Sequence, residues 1–524
     1  MTLTQLFIFL IVIQIIHGLG TWKLYIKAGR QAWEAFVPVY NAVILMKIIN
    51  RPWWWTILLF LPIVNLIMFP VVWVETARSF GKHATTDTIL AIVSLGFYNY
   101  YLNYGLDLEH IKDRSLHPRT AAGDWISSIL FAIVAATIVH TYFIQPYTIP
   151  TSSLEKSLLV GDFLFVSKFH YGPRVPMTTI AAPMVHDTIP FINKKSYLYN
   201  DHLEKKNTAF INKLSLPYIR IPGFQNIKRN DIVVFNWPVD TMLNMRFTDR
   251  NHYKPIDKKT NYVKRAVGIP GDSLEVRNGF VYINGKQNEL PDRAKLQFSY
   301  KIETKSGPFN NDQLTKRYDI TDLPQYNQDY SLSYFPGITD ETLNQFKDHP
   351  NVASVESLKR EKGERESSVF PHDPNYPWNN DFFGPLYIPK AGATIDLNLN
   401  VLPLYKRVIS EYENNTLKIK GNQIYINGEV ANTYTFKNDY YWMMGDNRHN
   451  SQDARTWGFV PFDHVVGKPV LIWMSWDRFG KPRWERFFTT VHGSGEPVSY
   501  FIPFLIVIAG LFGFSQWRKR KKAK

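Results

Sequence analysis

Tyr262-Val263-Lys264-Arg265-Ala266-Val267, stopped by Gly268-Ile269-Pro270-Gly271-Asp272, reads as a β-strand closed by a tight turn. Period-two alternation sets Tyr262, Lys264 and Ala266 on one face and Val263, Arg265 and Val267 on the other, so neither face is cleanly apolar. Residues 163–166 and 232–235 are short runs of the same kind, and helical periodicity is sparse beyond residue 162. The expectation is therefore a mainly β domain. Residues 274–285 and 417–428 both end in Tyr-Ile-Asn-Gly, and each reads as a hairpin with Asn-Gly closing its second strand. Between them, residues 286–400 are polar and rich in Tyr, Asn and Asp, with a helix expected near 340–347 and a β-like run at 352–355. That stretch reads as an inserted subdomain, and residues 173–226 read as a second insertion.

Upstream of the β region the pattern is that of a membrane protein. Residues 3–20, 53–74, 86–104, 125–144 and 498–517 are apolar runs near the length that a bilayer requires, although the third has Asn99 and Asn103 inside it and reads alternatively as a short or interfacial helix. The first lacks a basic leader and a small-x-small cleavage site, so it reads as a retained anchor. Lys23, Lys27, Arg30, Lys47 and Arg51 follow the first run, Lys112, Arg114 and Arg119 precede the fourth, and a basic tail follows the fifth. Placing these groups in the cytoplasm puts the N-terminus and residues 145–497 outside. Arg78 and Lys82, in the second loop, run against that assignment. The expected organisation is a multi-span region (1–122), an anchor (123–145), an extracytoplasmic domain (146–497) and a C-terminal span with a basic tail (498–524).

The chain has 524 residues, a formal charge of +15 and no cysteine. Disulfides, thiolate metal sites and cysteine nucleophiles are thereby excluded, and an oxidising compartment is permitted. Part of the basic excess sits at residues 518–524, directly after an apolar run, which favours an anionic membrane face over nucleic acid. A segment with Trp473, Trp476, Phe479, Trp484, Phe487 and Phe488 among Arg478, Lys481, Arg483 and Arg486 suits either lipid contact or ordinary core and rim.

Chemistry-bearing residues fall in three places. Ile149-Pro150-Thr151-Ser152-Ser153-Leu154 offers hydroxyls, residue 264 a lysine, and Gly445-Asp446-Asn447-Arg448-His449-Asn450-Ser451-Gln452-Asp453-Ala454-Arg455 a polar loop framed by apolar runs. A serine becomes nucleophilic when a neighbouring base takes its proton, and a lysine serves only if its surroundings lower its pKa. Taken singly, Ser153 fits a turn and Lys264 a solvated strand position. The polar loop fits a hydrogen-bond network better than a metal site, because His449 has no partner histidine at ligand spacing.

With Arg229-Asn230-Asp231-Ile232-Val233-Val234-Phe235, these segments resemble, in order, the sequence boxes of bacterial type I signal peptidases, membrane-anchored Ser/Lys endopeptidases that remove signal peptides from exported preproteins. The resemblance covers residues 125–487 apart from the two insertions. It implies a signal-peptidase-like β fold anchored by transmembrane helices, with Ser153 as nucleophile and Lys264 as general base. It implies Thr151 and the Ser153 amide as the oxyanion hole, Ser451 as the group orienting the lysine, and Asp453 with Arg455 as the support of that loop. Tyr147, Ile149, Pro150, Leu154, Tyr262 and Val263 stand where the family lines its pockets for small side chains. No cofactor or metal is implied. The implied partners are signal-peptide-bearing preproteins and the bilayer, with the secretion translocon as a candidate neighbour, in the bacterial inner membrane. Leu154 replaces the usual Met, Glu155-Lys156-Ser157 an x-Pro-Thr, and His449 a common Asp. The extra N-terminal runs resemble a region found in Bacteroidetes-type versions. A non-catalytic membrane receptor or scaffold that keeps the fold is the rival reading, and it predicts no loss of activity on Ser153→Ala.

Overall fold

The computed structural model describes residues 1–118, 120–242 and 252–523, so Arg119 and Lys524 of the basic groups lie outside it. The chain forms two compact units, one of Met1–Phe143, Pro173–Ile221 and Asp240–Lys259, the other of Ile144–Gly172, Pro222–Val239 and Thr260–Lys524.

The first unit is built on α1 (Leu3–Lys27), which starts at a capping box between Thr2 and Gln5 and, with 25 residues, is about 37 Å long. After it come α2 (Tyr40–Ile48), α3 (Trp55–Phe60), α4 (Asn65–Ser79), α5 (Thr85–Val93), α6 (Tyr98–Tyr104) and α7 (Ala121–Ile138). Among the described residues, three helical stretches are long and apolar enough to cross a membrane: Leu3–Lys27, Ala121–Phe143 and Phe501–Lys521.

The run at 53–74 differs from expectation in being broken into two helices, and the run at 86–104 takes its alternative form, as two short helices. The run at 53–74 breaks between α3 and α4, where Pro62 is unable to donate a helical hydrogen bond and Ile63 has positive φ. The run at 86–104 breaks between α5 and α6, where Leu95 and Gly96 have positive φ. A side chain at Gly96 would meet the Trp73 ring at 2.6 Å, so both the turn and the packing require glycine. Asn103, buried in α6, accepts at Oδ1 from the backbone N–H groups of Lys23 and Leu24. At one end of this unit Arg51, Arg78 and Arg114 converge on Glu75, at 2.8, 3.4 and 2.5 Å. Elsewhere in it the insertion packs Ala181 and Tyr197 against Ile63, and Ser215 accepts at its carbonyl from the N-terminal ammonium of Met1 at 3.1 Å.

The second unit holds an eight-stranded antiparallel sheet: β1 (Ile144–Thr148), β2 (Asp162–Ser167), β3 (Ile232–Asn236), β4 (Asn261–Gly268), β5 (Tyr440–Met444), β6 (Val460–Pro461), β7 (Val465–Ser475) and β8 (Thr489–Thr490). The strand order is β1-β2-β7-β3-β4-β5-β6, with β8 paired to β7. Val233 lies opposite Lys264 and Met444 opposite Arg265, which brings the chain leaving β5 beside the start of β4. Both repeated segments are hairpins, and their closing Asn284-Gly285 and Asn427-Gly428 pairs all have positive φ, as such turns demand.

The inserted subdomain centres on a strand at Phe298–Thr304, flanked by Leu332–Ile338 and Val352–Ser357. The expected helix is at Asp340–Phe346, and a second, at Asn311–Tyr318, escaped the sequence reading. Phe298, Phe309, Phe335 and Phe346 form the subdomain's own core. In the aromatic segment, Phe487 is buried, Trp473 stacks on Phe165, and Arg483 and Arg486 lie 4.0 and 2.5 Å from Asp162. Phe479 and Trp484 remain exposed.

Candidate active site

The loop joining β1 to β2 is pinched at its base, where Ile149 N–H donates to Asp162 and Gly161 N–H donates to Ile149, both at 2.9 Å. Ile149 and Leu154 then sink into a cluster with Leu158, Leu164, Val166, Ile232 and Val234, against which Tyr147 and Val263 pack. Burying these side chains fixes the loop, at about 25 cal/mol per Å² of apolar surface removed from water. Ser153 is thereby held at the sheet, 5 % exposed, with Thr151 and Pro150 open to solvent.

Lys264, 4 % exposed, reaches Ser153 from β4: its Nζ lies 2.5 Å from Ser153 Oγ. A charged amine donates in this contact, and a neutral one accepts the hydroxyl proton. Burial lowers the Lys264 pKa to about 8, with Asp453 and Asp446 opposing the shift and Arg455 adding to it. The Nζ also lies 5.6 Å from the Tyr262 ring. Tyr262 stands apart from the other expected pocket residues, since it packs with Phe235, Trp237 and Trp457 and donates to Gln452.

The polar loop after β5 is a satisfied network in most of its members. Asp453 caps the short helix Ala454–Trp457 and accepts from Gly445 N–H at 3.0 Å and from both Nε and a terminal nitrogen of Arg455 at 2.9 and 2.8 Å. Burial raises the Asp453 pKa, but the adjacent Arg455 outweighs it and holds the carboxyl below its ordinary value. Arg455 also donates to the carbonyls of Arg448 and Asn380. Ser451 Oγ is buried without a hydrogen-bond partner among the described residues, so the expected bond to the lysine is absent from this arrangement. Gly445 explains its placement: a Cβ there would lie 2.2 Å from Ser451 Oγ and 2.6 Å from the Ser153 carbonyl oxygen. Only glycine lets these two loops meet.

Several contacts here escaped the sequence reading. Arg265, beside the lysine but on the opposite face of β4, forms a buried pair with Asp446 at 2.6 Å and donates to Ser157 and to the Asn230 carbonyl. The period-two alternation already separated it from Lys264, and a buried arginine on such a face needs an acid. His449, where the family commonly has Asp, accepts at Nδ1 from Ser299 N–H, which leaves Nε2–H to donate to Asp381 at 2.9 Å. Both partners lie in the inserted stretch, which accounts for the exchange. Among the described residues, no group of acids and histidines could hold a metal ion.

Known proteins are similar to this chain. A family model described as "Signal peptidase, peptidase S26" matches residues 122–337 and 430–476, about half of the chain. A family of unknown function matches residues 33–113, which cover α2 to α6. The chain is 24% identical to signal peptidase I of Buchnera aphidicola from Acyrthosiphon pisum over 74% of its own length and 91% of the relative's. It is 25% identical to signal peptidase I of Haemophilus influenzae, covering 74% and 81%, and 23% identical to that of Helicobacter pylori strain 26695, covering 70% and 92%. With its mainly β sheet and its apolar helices, the chain belongs to the signal peptidase family, peptidase S26, and is a serine peptidase.

Proposed function

We propose that this protein is a membrane-bound endopeptidase that removes N-terminal signal peptides from exported preproteins after small residues, by a Ser153/Lys264 dyad acting through an acyl-enzyme. The observation that carries this reading is the buried 2.5 Å contact between Lys264 Nζ and Ser153 Oγ, at a lysine whose pKa burial lowers to about 8. The neutral amine takes the Ser153 proton as Oγ attacks the scissile carbonyl, forming a tetrahedral oxyanion whose collapse, with loss of the amine, leaves the acyl-enzyme ester. Thr151 Oγ1 and the Ser153 N–H stabilise that oxyanion, each donor contributing roughly 3 kcal/mol. The protonated Lys264 hands its proton to the leaving amine, and it then draws a proton from the water that hydrolyses the ester. Asp453 and Arg455 hold the polar loop against Gly445. Ile149, Leu154, Tyr147 and Val263 supply the apolar floor that small side chains contact, with Pro150 and Tyr262 at its margins.

We infer an inner-membrane location with α1, α7 and Phe501–Lys521 as the crossing helices and the catalytic unit outside. Trp476, Phe479 and Trp484, the exposed aromatics of the basic segment, would face lipid headgroups, and the secretion translocon is the expected supplier of substrate.

The test is cleavage of a signal-peptide-bearing precursor by the purified full chain. Ser153→Ala and Lys264→Ala are each expected to abolish processing while the protein stays folded and inserted. Retained processing by either variant sinks the dyad.

A further inference from the structure

The segment Asp319-Ile320-Thr321-Asp322 of the inserted subdomain reaches both catalytic loops. Asp322 Oδ2 accepts from Asn447 Nδ2 and from Asn450 Nδ2, each at 3.3 Å. Those two amides belong to the polar loop, and both connect onward to the nucleophile's loop. Asn450 Nδ2 also donates to Ser152 Oγ at 3.2 Å, and the Asn447 backbone N–H donates to the Ser153 carbonyl at 3.2 Å. Thr321 Oγ1 donates to Glu155 Oε1 at 2.5 Å, two residues past the nucleophile, and Lys156 pairs with Asp319 at 2.7 Å. Arg478 holds the segment from behind by donating to the Thr321 carbonyl at 2.9 Å.

We propose that Asp322 and Thr321 are positioning residues, a strap by which the inserted subdomain holds the Ser153 loop and the Ser451 loop in one register and so aims the Ser153 N–H at the oxyanion. The inference rests on the Ser153/Lys264 reading and deepens it. Neither residue touches the dyad, so each acts through the side chains that do the holding. The argument is geometric. The oxyanion donor is a backbone N–H whose direction follows the orientation of the peptide between Ser152 and Ser153. The side chain of Ser152 and the carbonyl of Ser153 are both gripped by asparagines that share one carboxylate oxygen. A misplacement near 1 Å in such a donor costs on the order of a hundredfold in rate. Packing supports the arrangement: Asn447 is fully buried, and a Cβ at Gly337 of the subdomain would meet its side chain at 2.6 Å, so the strand Leu332–Ile338 presses directly on it. Glu155 also fits, because burial, with Asp322 adding to it, pushes its carboxyl up to about 7 although Thr321 opposes the rise. A group in that state needs a fixed donor, and Thr321 supplies one.

The experiment is steady-state cleavage of a signal-peptide precursor by the full chain in detergent, with melting curves of every variant. Asp322→Leu is expected to lower kcat ten- to a hundredfold with KM within twofold of the parent. Asp322→Asn keeps an oxygen acceptor for both amides and is expected to restore kcat to within threefold. Asn450→Ala is expected to lose as much as Asp322→Leu, and the double variant no more than either alone. Thr321→Val, which conserves shape, gives a milder loss and keeps the proposal testable if Asp322→Leu does not fold. An unchanged kcat in Asp322→Leu or Thr321→Val overturns the strap, as does an Asp322→Asn as impaired as the leucine variant, or additive losses in the double variant. Ser153→Ala, run alongside, tests the dyad separately. Residual cleavage there removes the dyad reading, whereas an inactive Ser153→Ala beside an unimpaired Asp322→Leu removes only the strap.

Discussion

In the proposed dyad, Lys264 sets the pH behaviour of the site. Burial brings its pKa from the usual lysine range down to about 8, so half of the free enzyme carries the neutral base near that pH. Only the neutral form accepts the Ser153 proton, so kcat/KM is expected to rise with pH through about 8 and to fall about tenfold per unit below it, as read from a pH–rate profile. Lys264→Arg removes the limb altogether because arginine stays charged, and no cleavage is expected at any pH. Glu155 gives a prediction of opposite character. Its folded pKa of about 7 exceeds the 4.5 of an ordinary glutamate, so the folded state holds the extra proton and its stability falls as pH rises from about 5 through 7. The groups facing it are Thr321, Asp322, Lys156 and Arg483, and desolvation outweighs the two cations. Glu155→Gln therefore matches the parent in melting experiments near pH 4.5 and melts higher at pH 8, by an amount equivalent to at most about 3 kcal/mol.

The elements that build the site differ in how far the sequence announced them. Strand β4 was legible because alternation and a terminating turn are local signals, and the hairpins were legible because Asn-Gly in a two-residue loop prescribes positive φ. The segments bearing Ser153, Lys264 and Ser451 were legible as boxes in a fixed order. What stayed hidden depends on contacts across long separations: Asp322 meets Asn450 over 128 residues, and Arg265 meets Asp446 over 181. No local pattern encodes those pairs. The break in the 53–74 run was missed for a different reason, since hydropathy sums over a window while Pro62 acts at one position; the 86–104 run, with Asn99 and Asn103 inside it, was already legible as open to a short helix. Gly445 is the element-scale test of the site. Its missing side chain lets the loop after β5 close on the Ser153 loop, and an added methyl would sit 2.6 Å from the Ser153 carbonyl oxygen. Gly445→Ala is expected to lose more than a hundredfold in kcat with the secondary structure unchanged by circular dichroism. Cleavage at the parental rate would show that the loops can separate without harm to the site.

Across the whole chain, the three proposed crossings would leave the catalytic unit on the same side as five, because the two broken runs would be lost as a pair. The change falls on the segment between α4 and α5. With five crossings, Arg78, Lys82 and Ala84 would be outside, against the positive-inside bias. In the structure Arg78 shares Glu75 with Arg51 and Arg114, and Ile111 N–H donates to the Ser79 carbonyl at 2.9 Å, so this segment lies beside residues 111–114. Under the proposed topology Arg78 and Lys82 join the cytoplasmic basic groups, which removes the one anomaly in the charge pattern. The absence of cysteine makes the chain ready for the measurement, since any introduced thiol is the sole target of a maleimide. Single cysteines at Ala84, Lys112 and Gln423, all exposed, are placed in the membrane-inserted protein and treated with an impermeant maleimide in intact spheroplasts. Gln423→Cys is expected to label at once, and Lys112→Cys only after lysis. Ala84→Cys is expected to follow Lys112→Cys, because an arginine cluster held on one carboxylate does not divide between the two faces of a bilayer. Labelling of Ala84→Cys in intact spheroplasts would instead restore the second and third crossings, and with them an outward-facing pair of basic residues that the Glu75 cluster contradicts.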